Sequence, residues 1–184
     1  HLALLYGKEE IFKKLPNQNH EFLSGKYPHT INPGGPNHEE LVSLIGIYEY
    51  FDNLYNYHFK DKELNHLKKI NKINKLISEY EESIANPLLD YISKRNNFKL
   101  IGKNKIKNKD RSPTISFTIE NKSSKKVSKI LVKNNIATRN DHFYAWRCLE
   151  ALGIDTNDGV VRISMTHYNN KKDVDNLINA LELI

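Results

Sequence analysis

Cysteine is almost missing from this chain of 184 residues, with Cys148 standing alone. One thiol excludes an intrachain disulfide framework and cannot by itself build a cysteine metal cage. Long apolar runs are missing too. No stretch approaches the ~20 residues that span a bilayer and no N-terminal signal pattern is visible, so no membrane association is expected and the cytoplasm is the expected location. Methionine is reduced to Met165 and the first residue is His1, so part of the protein is expected to lie upstream.

Arginine is the scarce cation. It occurs only at Arg95, Arg111, Arg139, Arg147 and Arg162, against a large excess of lysine. Arg162 sits inside the apolar strand pattern Gly159-Val160-Val161-Arg162-Ile163-Ser164-Met165, and Arg139 in Ile136-Ala137-Thr138-Arg139-Asn140-Asp141-His142. A guanidinium stays charged at any working pH and offers a planar fork that matches two carboxylate oxygens, which lysine cannot reproduce. Two readings stand side by side: capture of a ligand carboxylate, or a structural ion pair with an Asp or Glu of the chain itself.

The formal charge of +6 raises the question of nucleic acid. The lysines are spread through 60–75, 94–109 and 122–133, mixed with Asn and Ile rather than with Arg or stacking aromatics, and no recognition-helix, zinc-finger or RNA-binding pattern accompanies them. That distribution argues for solvated surface. The alternative function is a non-catalytic basic binding module contacting nucleic acid or another polyanion. His38-Glu39 lacks a second histidine four residues on, so no metal site is expected.

Along the chain, Leu2–Tyr6 reads as a short buried strand closed by Gly7. An irregular polar stretch follows from Pro16 to Pro36, broken by Gly25, Pro28, Pro33, Gly34 and Gly35. Asn37 then caps a helix to about Tyr57, with Glu40 completing a capping-box-like start. A second helical region is expected from Lys62 to Lys94, with a boundary or kink at Asn86-Pro87. Strands are expected at 98–101, 114–119, 136–138 and 160–165. Helices are expected from Ser123 or Ser124 to Asn134, from His142 to Leu152, and after Asn170 and Asp173. This alternation predicts an α+β unit, a small mixed and largely antiparallel sheet covered by helices. Cys148 is expected to pack inside it.

The segment Asn32-Pro33-Gly34-Gly35-Pro36-Asn37-His38-Glu39 unites glycines, which allow close backbone approach, with a helix N-terminus that presents free N–H groups. A phosphate suits such a place, although Glu39 and Glu40 oppose an anion and a Gly-rich loop is also ordinary helix punctuation.

Five motifs in order resemble the C-terminal part of the class V aminotransferases, especially their cysteine desulfurase-like branch. They are His1-Leu2-Ala3-Leu4-Leu5-Tyr6-Gly7, Gly34-Gly35-Pro36-Asn37-His38-Glu39, Arg111-Ser112-Pro113-Thr114-Ile115-Ser116-Phe117, Ala137-Thr138-Arg139 with His142-Phe143-Tyr144-Ala145, and Val161-Arg162-Ile163-Ser164 with His167-Tyr168-Asn169. The resemblance implies the C-terminal domain of a fold type I pyridoxal-phosphate enzyme, α/β in the parent, with a remnant of the large domain at the N-terminus. It divides the chain into 1–30, the trailing edge of the cofactor-binding domain; 31–60, an interface loop and connecting helix; and 61–184, the small domain.

It further implies pyridoxal 5'-phosphate as cofactor of the intact parent, an amino acid as substrate, and a homodimer. Arg162 matches the arginine that binds the substrate α-carboxylate, and Arg139 one beside the active-site loop. Gly34, Gly35, Asn37 and His38 match a loop that reaches the neighbouring subunit's cofactor phosphate. The Schiff-base lysine is expected shortly before His1, so the chain holds no catalytic residue of its own, is expected to be inactive alone, and is expected to need a companion N-terminal fragment. Where cysteine desulfurases carry their sulfur-accepting cysteine this chain has Tyr144, so desulfurase activity does not carry over; transamination, elimination or a related step remains.

Overall fold

The computed structural model describes residues 2–32, 34–61, 65–107 and 109–184, in two compact units, His1–Ile70 and Asn71–Ile184. In the first, Leu2–Tyr6 is not a strand. It pairs with no other strand among the described residues, and Leu4, Leu5 and Tyr6 are exposed. An apolar run becomes a strand only against an edge that takes its N–H and C=O groups, and the described residues of this unit offer none. A single helical turn, α1 (Glu9–Phe12), precedes the polar stretch, and two 3-10 turns at Glu21–Leu23 and His29–Ile31 punctuate it.

Helix α2 (His38–His58) starts at its cap: Asn37 Oδ1 accepts the Glu40 N–H at 3.1 Å. This helix buries Tyr55 but leaves Val42, Ile45 and Ile47 more than half exposed. Helix α3 (His66–Ser93) begins in the first unit, where the Tyr48 hydroxyl meets His66 Nδ1 at 2.6 Å and Lys69 Nζ pairs with Asp52 at the same distance. The expected start at Lys62 lies outside the described residues. Pro87 falls inside α3 and does not end it. The Asn86 side chain is fully used there: Nδ2 donates to the Ile106 carbonyl and Oδ1 accepts the Ile106 N–H, which ties the loop after β1 to the helix.

The second unit carries four strands, β1 (Phe98–Ile101), β2 (Thr114–Ile119), β3 (Arg139–Asp141) and β4 (Val160–Ser164), in the order β1-β2-β4-β3. Every pairing is antiparallel, so the sheet is antiparallel throughout rather than mixed. Alternation sets its two faces. Ile115, Phe117 and Ile119 of β2 and Val161 and Ile163 of β4 join the main core with α3, α4 (Ser124–Lys133) and α6 (Lys171–Leu181). The other face carries Thr114, Ser116 and Thr118, with Val160, Arg162 and Ser164 beside them.

Capping fixes the helices to this sheet. Asn170 and Asp173 form a capping box at the start of α6. Ser123 caps α4 through the Lys126 N–H, and the Asp158 carboxylate accepts the Ser124 N–H with both oxygens, at 3.0 and 2.8 Å. The Ser124 hydroxyl donates to the Asp158 carbonyl and accepts Asn140 Nδ2 at 3.0 Å, joining α4, β3 and the turn before β4.

Two boundaries differ from the sequence pattern. The strand expected at 136–138 lies at Arg139–Asp141, and the helix expected from His142 is only α5 (Trp146–Ala151). Phe143 and Tyr144 cause the delay, since both have left-handed backbone, with φ of 51° and 60°. That conformation interrupts a right-handed helix.

Candidate functional site

Antiparallel register makes Arg139 and Arg162 directly opposed residues on β3 and β4, and Ser116 opposes Arg162 from β2 on the other side. Arg162 therefore stands mid-sheet, between a hydroxyl and a second guanidinium, on the face away from the main core. It is half-buried, whereas Arg139 on the edge strand is exposed. Among the described residues neither arginine forms an ion pair. The structural ion-pair reading thus finds no partner here. Like charges directly opposed across strands are destabilising, so this arrangement is kept against a cost.

Phe143 supplies what does touch Arg162: its ring lies 3.9 Å from the guanidinium carbon. A small second cluster, Leu149, Ile154 and Val160, packs against Phe143 and Ile101 and holds the ring in place. The loop is shaped by polar contacts as well. Asp141 Oδ1 accepts the His142 N–H at 2.6 Å, and His142 Nδ1 accepts the Tyr144 N–H at 3.1 Å. Accepting at Nδ1 puts the proton of the neutral ring on Nε2, which lies 3.6 Å from Asp141 Oδ1. Tyr144 is fully exposed at the tip.

Gly159 makes this packing sterically possible. A Cβ there would stand 2.3 Å from the Asp141 carbonyl carbon and 2.8 Å from the His142 nitrogen, and its φ is +71°. Only glycine combines that approach with that conformation. Phe143 and Gly159 were not singled out from sequence. A glycine before a strand and an aromatic in a loop are ordinary signals, and their roles depend on contacts made across the fold.

Cys148 is exposed, which corrects the expectation that it packs inside. Helix α5 has only six residues and turns Leu149 inward, leaving Cys148 and half-exposed Trp146 on its outer side. Among the described residues no group of acidic, histidine or cysteine side chains could hold a metal ion, and no helix is long and apolar enough to cross a membrane.

Gly34, Gly35, Asn37 and His38 belong to the first unit, at the N-terminus of α2. A Cβ on Gly34 or Gly35 would meet nothing within 4 Å, so the backbone there is open to approach. Asn37 spends its side-chain oxygen on the cap, and Glu39 and Glu40 occupy the first helical turn.

Arg111 completes the motif residues. It donates to the carbonyls of Lys103, Ile101 and Thr114, and burial pushes its pKa down. It closes the loop after β1 and does not join the Arg139–Arg162 face.

The model of the aminotransferase class-V family matches residues 56–177, which include all four strands and both arginines. The chain belongs to the aminotransferase class-V family. Relatives of this class V chain include the aminotransferase-like protein FGM3 of Gibberella zeae, 26% identical over 186 residues that cover 100% of this chain and 42% of that protein. The class V chain therefore spans less than half the length of that relative.

Solved structures give the fold. The cysteine desulfurase CsdA from Escherichia coli superposes with a TM-score of 0.60 at 22% identity, over 85% of this chain and 32% of that one. A cysteine desulfurase from Thermococcus onnurineus NA1 gives 0.61 at 20% identity, over 85% and 33%. The antiparallel sheet, with its helices, is thus an arrangement this class V chain shares with a part of each of those proteins.

Proposed function

We propose that this class V chain is part of a pyridoxal-phosphate-dependent enzyme that acts on an amino acid by transamination, elimination or a related step. Within it the chain supplies the substrate carboxylate clamp, Arg162, with Arg139 beside it as a second substrate-binding residue, and a cofactor-phosphate loop, Gly34, Gly35, Asn37 and His38. The observation that carries the reading is the cross-strand arginine pair without a carboxylate partner among the described residues. A guanidinium left unpaired on a sheet face, with one side already against an aromatic ring, is suited to take an anion from solution.

The residues present suit the cofactor in part. Gly34 and Gly35 leave their backbone open, and the His38 and Glu39 N–H groups come before the capped Glu40, so a phosphate can be met by main-chain donors. Pyridoxal phosphate, when bound, supplies the electron sink for bond cleavage at the amino acid α-carbon. Arg162 has the separate task of binding and orienting the α-carboxylate, which fixes the substituents of that carbon. Phe143 covers one side of the guanidinium. Tyr144 offers a phenol rather than a thiol, so persulfide formation at this position is not part of the proposal.

A lysine from outside these residues is needed to carry the cofactor, and the 184-residue chain alone is proposed to be inactive. The exposed Val42, Ile45 and Ile47 of α2 suit burial by another chain, as a homodimer would provide. The test is the longer protein that contains these residues. Purified, it should show the visible absorbance of bound cofactor, and that absorbance should change with at least one amino acid in a panel. A protein that binds no cofactor, or whose absorbance responds to no amino acid, would contradict the proposal.

A further inference from the structure

We infer that the site takes an amino acid bearing a second anionic group on its side chain, with Arg162 holding the α-carboxylate and Arg139 the second anion. The inference rests on the carboxylate role proposed for Arg162 and extends it to a substrate class. One carboxylate has two oxygens, and one guanidinium fork satisfies both. A monoanionic substrate would therefore leave the opposed Arg139 charge uncompensated.

Among the described residues no carboxylate pairs with it. Ser116 opposes Arg162 on the inner side and Ser164 lies two residues along β4, and both are neutral. Asp141, two residues from Arg139 on the same strand, directs its carboxylate to the His142 N–H and the His142 ring instead. Two fixed positive charges remain at directly opposed positions. Opposed residues of an antiparallel pair are direct neighbours, with Cα atoms ~4.5–5.5 Å apart, so one ligand with two anionic groups can address both side chains.

The two arginines also differ in the way such a division requires. Arg162 is half-buried with its guanidinium against Phe143, which suits a group common to every amino acid. Arg139 is exposed, on the edge strand, with no ring or carboxylate fixing it among the described residues, which suits the variable side-chain end.

The experiment is calorimetric titration of the longer protein that contains these residues, at low salt with succinate and with butyrate, repeated on Arg139→Gln and Arg162→Gln, with circular dichroism to verify folding. Succinate should bind about tenfold more tightly than butyrate, the scale of one added charge-assisted contact. Arg139→Gln should erase that preference, and Arg162→Gln should weaken both ligands. Equal affinities in the unaltered chain, or an Arg139→Gln variant that weakens both ligands in proportion, would overturn the second-anion inference while leaving the Arg162 role intact. Failure of the unaltered chain to bind either ligand would overturn both.

Discussion

The Arg162 guanidinium lies over the Phe143 ring, 3.9 Å from ring centroid to guanidinium carbon. The contact joins a left-handed loop residue to the middle of a strand. A cation over an aromatic face gains ~0.5–2 kcal/mol, depending on exposure. Phe143→Leu keeps an apolar side chain against Leu149 and Val160 but removes the π face. It should weaken carboxylate binding several-fold, read by calorimetry, with the thermal midpoint lowered only slightly. An unchanged affinity would mean that the ring packs without orienting Arg162.

Gly159→Ala should be among the most costly single-methyl changes in this unit. The new Cβ would meet the Asp141–His142 backbone, which cannot swing aside as a side-chain tip can, and φ of +71° is strained for any L side chain. A non-glycine residue held in an unfavourable backbone region costs ~1–3 kcal/mol before any collision is counted. Urea unfolding should show a drop of at least that size. Gly153→Ala shares the positive φ but has open space around it, and so should cost less.

Glu81 gives stability a pH dependence. Burial raises its carboxyl pKa, against the lowering pull of His167. A raised carboxyl pKa in the folded state means that the fold binds the proton more tightly than the unfolded chain. Stability from this group is therefore present at low pH and lost as pH rises from the unfolded value through the folded one. Glu81→Gln should match the unaltered chain near about pH 4 and exceed it near about pH 7 in urea midpoint. A variant less stable at the higher pH would show that the contact with His167 outweighs burial.

Cys148 should react with a water-soluble thiol reagent in the folded chain, with one equivalent consumed before unfolding begins. Its exposure on α5 requires this. Reaction only after denaturant is added would show the thiol to be covered.

Much of the second unit was legible in the sequence because its signals are local. Thr114–Ile119 alternates cleanly, and Ser123 and Asn170 are capping residues placed before apolar periods. The capped start of α2 at Asn37 was legible for the same reason. The missed boundaries depend in part on contacts remote in sequence. Leu2–Tyr6 has the composition of a strand but no edge to join. Phe143 and Tyr144 give no sign of left-handed backbone, which Gly159, the Asp141–His142 turn and the small second cluster sustain together. For the site, the sequence singled out both arginines, yet only the register of β3 against β4 reveals that they oppose each other. The lack of a carboxylate partner among the described residues emerges from the fold alone.

The central claim is that Arg162 binds the substrate carboxylate. The most direct measurement is the amino-acid titration of cofactor absorbance in the longer protein that contains these residues, compared between the unaltered form and Arg162→Ala. Loss of a charge-assisted fork, at ~1.5–3 kcal/mol, should raise the amino acid concentration needed by about 10- to 100-fold while the cofactor absorbance itself is kept. An unshifted titration, or loss of the bound cofactor, would contradict the account and make Arg162 a structural residue.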